Sequence, residues 1–360
     1  MKSVLLFSLL VSFGSGASDF VVSTQKISTG NRFQAISIDE KGGLWVSGTN
    51  SAVYHSTDSG ESWTAVNTPN TSKPLQFRDI QVVNDTIILM SAGEGADSKL
   101  YMSKNGGESW ILTNQGKNPS TFYDCFSMLD DSTGWLYGDS INEKFSMLKT
   151  TDGAKSWKAV TLPFAAQEDE GGFASSGTCL NHNPQGDIAI GTGNAEIPRL
   201  LIKKADQAWQ SIPSPYAGGE AAGIFTVQFD DSNLYTFGGS LTAKAKNAPA
   251  AGYKYSLTKS KWMPLPVSPF NGAVYGSAIT EKHVLITSPQ GIAVMNKSEK
   301  YTETSYEDAS ANRTTTSSKN LLKDKLSWKK ISDLDIWAIA CSGTQCWGVG
   351  ANDVVVTISW

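Results

Sequence analysis

An octapeptide recurs in this chain at a fixed interval, and that interval restricts the fold more than any other feature of the sequence. STDSGESW (Ser56–Trp63), SKNGGESW (Ser103–Trp110) and TTDGAKSW (Thr150–Trp157) put tryptophans at 63, 110 and 157, 47 residues apart each time. Weaker echoes surround Trp209, Trp262 and Trp328. Each repeat opens with an alternating or apolar first strand: RFQAISI, FRDIQVV, FYDCFSML, SGTCLNH, GIFTVQF, VYGSAIT and IWAIACS. A second strand ends in small residues, as in LWVSGT and GWLYGDS; a third runs into the octapeptide, and a short fourth carries or follows the tryptophan. Four antiparallel strands in such a period are the signature of a β-propeller blade. Seven first strands therefore predict an all-β, seven-bladed β-propeller of four-stranded antiparallel blades.

The last blade runs out of chain at DVVVTISW, after its third strand. Its missing strand is available at the other end as DFVVSTQKI, so the N-terminal strand is expected to close the ring and remove an exposed sheet edge. The blades then fall at 30–68, 75–115, 121–163, 173–213, 222–266, 272–331 and 335–360 plus 19–27, in one domain spanning 18–360. A polar Ser/Thr-rich insertion at 301–324 interrupts the sixth blade, as a solvated loop or as a lid over one face of the ring.

The octapeptide has a structural task, because the third strand must turn sharply into the fourth. Asp58, Asn105 and Asp152 can accept hydrogen bonds from backbone N–H groups of their own turns, and Ser56, Ser103 and Thr150 add a hydroxyl bond. Gly60 and Gly107 supply positive φ, while Trp63, Trp110 and Trp157 turn back to bury apolar surface between blades. None of these roles needs a substrate.

Composition narrows the function. With a net charge of -4 and a pI near 5.5, the chain has no basic stripe for phosphate neutralisation, so nucleic acid is not an expected partner. Residues 1–17 combine one Lys, an apolar run and small residues at the end, the pattern of a cleaved signal peptide, with a retained anchor as the alternative. The protein is expected to be exported, periplasmic or secreted, with no transmembrane segment in the mature chain. In that oxidising setting Cys341 and Cys346, flanking a turn-forming SGTQ, are candidates for a disulfide, and the pairing of Cys125 with Cys179 stays open. The histidines lack metal-ligand spacing, and no GxGxxG or CxxCH is present, so neither metal nor cofactor is expected.

Ser/Thr-x-Asp-x-Gly-x-x-Trp resembles the Asp-box, or bacterial neuraminidase repeat, of sialidases, sortilin-like receptors and other propellers. FRDI at Phe77–Ile80, FYD at Phe122–Asp124, GD at Gly138–Asp139, LKTTDG at Leu148–Gly153, FASSGTC at Phe173–Cys179 and AGIF at Ala222–Phe225 are similar to exported bacterial relatives of the photosystem II stability and assembly factors. That resemblance covers essentially the whole mature chain. It implies a non-catalytic binding or scaffold protein, an assembly or stability factor for an extracytoplasmic or membrane complex, with a protein or peptide, or a glycan, as partner.

In a propeller the first strands line the central channel. The candidate ligand site is therefore where they begin, at Arg32, Arg78, Tyr123, Asp124, Thr178, Phe225, Tyr275 and Trp337, with Glu94, Asp139 and Glu220 in neighbouring loops. Two arginines among aromatic and acidic groups suit a carboxylate or a sugar. Alternatively, Arg78 and Asp124 simply pair across adjacent blades. The competing class is a carbohydrate-active hydrolase, sialidase-like or another glycosidase, or a glycan-binding propeller. Sialidases hold their substrate with three arginines, whereas here only Arg32 and Arg78 are well placed, Arg199 begins a third strand and Arg313 lies in the insertion. No catalytic residue is assigned.

Overall fold

A computed structural model describes residues 20–243, 247–297 and 327–360. Residues 1–17, expected to be a signal peptide, and the insertion at 301–324 lie outside the described residues. The described chain forms seven four-stranded antiparallel sheets arranged as propeller blades. The first strands of blades 1 to 7 are Phe33–Ile38, Phe77–Val83, Tyr123–Met128, Leu180–His182, Ala222–Asp230, Gly276–Ile279 and Ile336–Ser342. Blade 7 takes its outer strand from the N-terminus, where Val21–Lys26 pairs antiparallel with Val354–Ser359 from Val21↔Ser359 to Lys26↔Val354. Past this junction, buried Asp353 accepts hydrogen bonds from the backbone N–H groups of Gly30 and Asn31, both at 2.8 Å, and from the Ser28 hydroxyl.

The three octapeptides fold into the same turn. In the first, the Ser56 hydroxyl donates to Asp58 (2.7 Å) and accepts from Gly60 N–H (2.9 Å), and Asp58 accepts from Ser62 N–H (2.9 Å). Ser109 N–H to Asn105 and Ser156 N–H to Asp152, each at 3.0 Å, repeat that last bond. The serine before each tryptophan is thus a working part of the motif. Two successive residues, not one, take positive φ: Ser59 and Gly60, Gly106 and Gly107, Gly153 and Ala154. This explains the displaced glycine of the third copy, because Gly153 fills the first position and Ala154, at φ 62°, tolerates the second.

Each box tryptophan packs toward the preceding blade. Trp110 joins the cluster of blades 1 and 2, Trp157 that of blades 2 and 3, and Trp63 that of blades 7 and 1. Trp110, Trp262 and Trp328 donate their indole N–H groups to carbonyls at the end of the preceding blade, those of Asn67, Pro213 and Pro266. Trp63 and Trp110 bury part of their apolar surface there and are half-buried. They stand at the outer edge of the blade, where the preceding blade covers one face and water the other. Blade 7 has no box tryptophan before its outer strand. Phe20 occupies that place and packs against Trp360 and His283 at centroid distances of 5.7 and 5.1 Å.

Two outcomes test this framework. Asp353→Ala strands three donors in the ring junction and should cost about 3 kcal/mol in chemical denaturation. Serine donors hold the Asp58 and Asp152 carboxyls down at about 2, below their ordinary value. Their contribution is present above the unfolded value, near pH 4, and is lost as pH falls through about 2. Replacing both by Asn, the residue blade 2 already uses, should flatten the acid limb of a Tm-against-pH curve. A limb unchanged by the substitutions would remove the boxes from acid unfolding.

Candidate functional site

The channel lining is shaped by β-bulges at one place in blades 1, 2, 3, 5 and 7. The pairing of first and second strands skips Gln34, Arg78, Asp124, Phe225 and Trp337. A bulge inserts one extra residue and re-aims a side chain. Consequently Phe33, Phe77 and Tyr123 enter the cores between blades, and the residues after Phe77 and Tyr123 turn to the axis.

What they meet there is another part of the chain. Before its short first strand, blade 4 sends Gly171–Thr178 through the channel. Gly172 N–H donates to Asp124 of blade 3 (3.0 Å), and the Ala174 carbonyl accepts from Arg78 of blade 2 (3.1 Å). Ser175 and Ser176 both donate to the Tyr275 carbonyl of blade 6, at 3.0 and 2.7 Å. Phe173 stacks on Phe225 of blade 5, with centroids 3.6 Å apart and planes 4° from parallel. Only a segment on the axis can touch blades 2, 3, 5 and 6 at once. It is anchored at one end by Glu170, which is ion-paired to Arg199 and accepts from Thr192, and at the other by the Cys125–Cys179 disulfide. Cys341 and Cys346 are also bonded, across a hairpin of blade 7.

Two buried carboxyls, Asp79 and Asp124, and the half-buried Asp139 lie behind this plug. Asp124 Oδ2 and Asp139 Oδ1 share the single Gly172 N–H, at 3.0 and 3.3 Å, so the two carboxyls meet at one donor. Asp79 accepts from Phe126 N–H (3.0 Å) and sits against Gly177. Burial pushes Asp79 and Asp124 well above the usual carboxylate range and Asp139 up to about 6.

Beside the plug, Tyr275, Trp337, Arg32 and Arg78 form a cluster that remains partly open to solvent. The Arg32 guanidinium lies 4.8 Å over the Trp337 ring, which meets Tyr275 edge-on at 4.9 Å. Burial lowers the Arg78 pKa, Asp124 opposes that shift and Arg32 adds to it. Arg78 Nε is buried without a hydrogen-bond partner, and among the described residues neither arginine lies within ion-pair distance of a carboxylate. This arrangement can receive an anion flanked by flat apolar or π groups.

The expected site divides accordingly. Arg32, Arg78, Tyr275 and Trp337 come together. Asp124 and Asp139 meet at Gly172 N–H, Asp124 buried and Asp139 half-buried, and Asp139 belongs to the strand Gly134–Ile141, not to a loop. Phe225 is only 1% exposed, because Phe173 covers it, and so belongs to the plug contact. Thr178 bonds Ser176 and Thr226 inside the channel. Tyr123 is corrected: the bulge turns it into the core between blades 2 and 3, where its hydroxyl accepts from Asn114 (2.7 Å). Glu94 and Glu220 stay exposed on their loops, away from the cluster. Arg78 and Asp124 attract each other without forming an ion pair. Sequence reasoning missed the plug, although Trp157 and Trp209 are 52 residues apart against 47 for the earlier intervals.

The fold and the repeated turns define a seven-bladed Asp-box β-propeller. The family model for the photosystem II assembly factor YCF48 matches residues 18–140, and the chain is similar to that family. Its fold is shared by a structure described as YCF48 bound to D1 peptide (12% identity, TM-score 0.62, 94% of this chain and 97% of that one). YCF48 from Cyanidioschyzon merolae is similar too (12% identity, TM-score 0.61, covering 93% and 98%). So is a catalytically inactive virginiamycin B lyase from Staphylococcus aureus with quinupristin (11% identity, TM-score 0.64, covering 95% and 99%). No curated protein sequence matches the chain.

The crowding behind the plug makes a direct prediction. A Cβ at Gly177 would stand 2.5 Å from Asp79 Oδ1, at φ +73°. Gly177→Ala should therefore destabilise the protein by about 2 kcal/mol, read from urea unfolding, whereas Gly343→Ala, with no atom within 4 Å of the new Cβ, isolates the backbone contribution.

Proposed function

We propose that the protein is a non-catalytic assembly or stability factor that binds an anionic peptide segment of a protein partner at the channel face. The observation that carries this reading is the pair of neighbouring guanidiniums, Arg32 and Arg78, without carboxylate partners and set against Trp337 and Tyr275. A peptide carboxylate can take both charges while an adjoining side chain packs on the rings. The likeness to YCF48, one structure of which holds a D1 peptide, supports a peptide ligand. A glycan is the second ligand class for the same groups, since exposed aromatic faces and arginines also suit sugars. The leader read at 1–17 and the two disulfides support an exported protein.

Trp337 fluorescence titrations with a peptide library bearing free or amidated C-termini test the site. Free-acid or acidic peptides should bind, and Arg78→Ala and Arg32→Ala should each weaken them at least tenfold, about 1.4 kcal/mol, with unchanged Tm. Equal binding of amidated neutral peptides, or no loss in either variant, would refute the arginine site. Binding of oligosaccharides alone would select the glycan reading.

A further inference from the structure

We propose that Gly171–Thr178 is a pH-responsive plug, held in the axial channel while the Asp124–Asp139 pair keeps a proton and loosened when both carboxyls ionise. The plug has been fitted to these acids. A Cβ at Gly171 would stand 1.7 Å from Asp139 Oδ1, and one at Gly172 would stand 2.8 Å from Asp124 Cγ. The backbone therefore lies directly on the carboxyl pair, and a change in their separation is transmitted to it.

One N–H cannot satisfy two carboxylates, one buried and one half-buried, held against it. Asp124 and Asp139 share the Gly172 donor, and after burial the charge of Asp139 raises Asp124, so a proton kept on the pair relieves the repulsion at that single N–H. Among the described residues no facing cation takes up a second charge. Arg199 from blade 4 is committed to Glu170, and Arg78 from blade 2 attracts Asp124 but spends its hydrogen bonds on Ala174 and Gln76. Asp169, on the segment leading into the plug, acts on Asp139 with the same sign of charge. Tyr137, from the second strand of blade 3, feels both aspartates and Glu170, and its buried hydroxyl has no hydrogen-bond partner.

The sign follows from burial. Both folded-state values lie above the ordinary carboxylate value, so the stabilisation is complete below about pH 4. It declines as pH rises through the Asp139 value of about 6, and again as Asp124 gives up its proton. Loosening withdraws the Ala174 carbonyl from Arg78 and the Phe173 ring from Phe225. The channel face would then change with pH whatever ligand it takes.

Amide hydrogen exchange of the full chain from pH 5 to 9, corrected for intrinsic rates, is the test. Protection of the plug should fall about tenfold or more while that of the blade 6 strands stays level, and Asp139→Asn should flatten the profile. Constant protection in the wild type, or an unchanged slope in the variant, overturns the proposal. If the variant does not fold, infrared spectra of the wild type decide. A protonated carboxyl band should persist at neutral pH and vanish together with plug protection. Its disappearance near pH 4 would end the idea.

Discussion

The ring depends on one pairing between the two ends of its chain. Each blade buries its faces against its neighbours, so a propeller is stable as a circle and leaves two raw faces if it is cut. Val21–Lys26 seals the cut by adding the fourth strand to a sheet whose other three strands come from Ile336–Ser359. Asp353 fixes the crossing from the outer strand of blade 7 into blade 1, and Phe20 supplies the aromatic that a box tryptophan supplies elsewhere. Everything at the axis inherits its position from this closure.

Closure by itself leaves a channel lined by first strands. Bulges at equivalent places in five of the seven blades then offset one residue each, Arg78, Asp124, Phe225 and Trp337 among them, so the repeat that builds the scaffold also presents variable residues to the channel. Blade 4 departs from the pattern by contributing a whole segment. The plug divides those residues: Asp124 and Phe225 are consumed in holding it, Arg78 holds the Ala174 carbonyl while its Nε has no partner, and Arg32 and the Tyr275 and Trp337 rings stay partly open. Buried acids on one side and unpaired guanidiniums on the other give the channel face its polarity.

The candidate site was partly readable because channel position follows from strand order. Arg78 and Trp337 could be placed from the start of FRDIQVV and IWAIACS alone. Tyr123 was misplaced because a bulge shifts the alternation by one residue, and a slip of one exchanges axis for core. The plug escaped notice since FASSGTC looks like the opening of an ordinary first strand. Its small residues are explained by Asp79, Asp124 and Asp139, which are 92, 47 and 32 residues before Gly171 in the chain.

Local and periodic physics determined the architecture from the sequence: turn chemistry recurring every 47 residues, strand alternation between turns, and a spare strand at the N-terminus. These are properties of neighbouring residues, repeated, and repetition makes them visible without a structure. The tertiary structure decided which side chains share the axis, the pairing of Cys125 with Cys179, and the occupation of the channel by blade 4's own segment. Those outcomes arise where seven blades converge, and there a contact depends on groups that sequence distance does not relate.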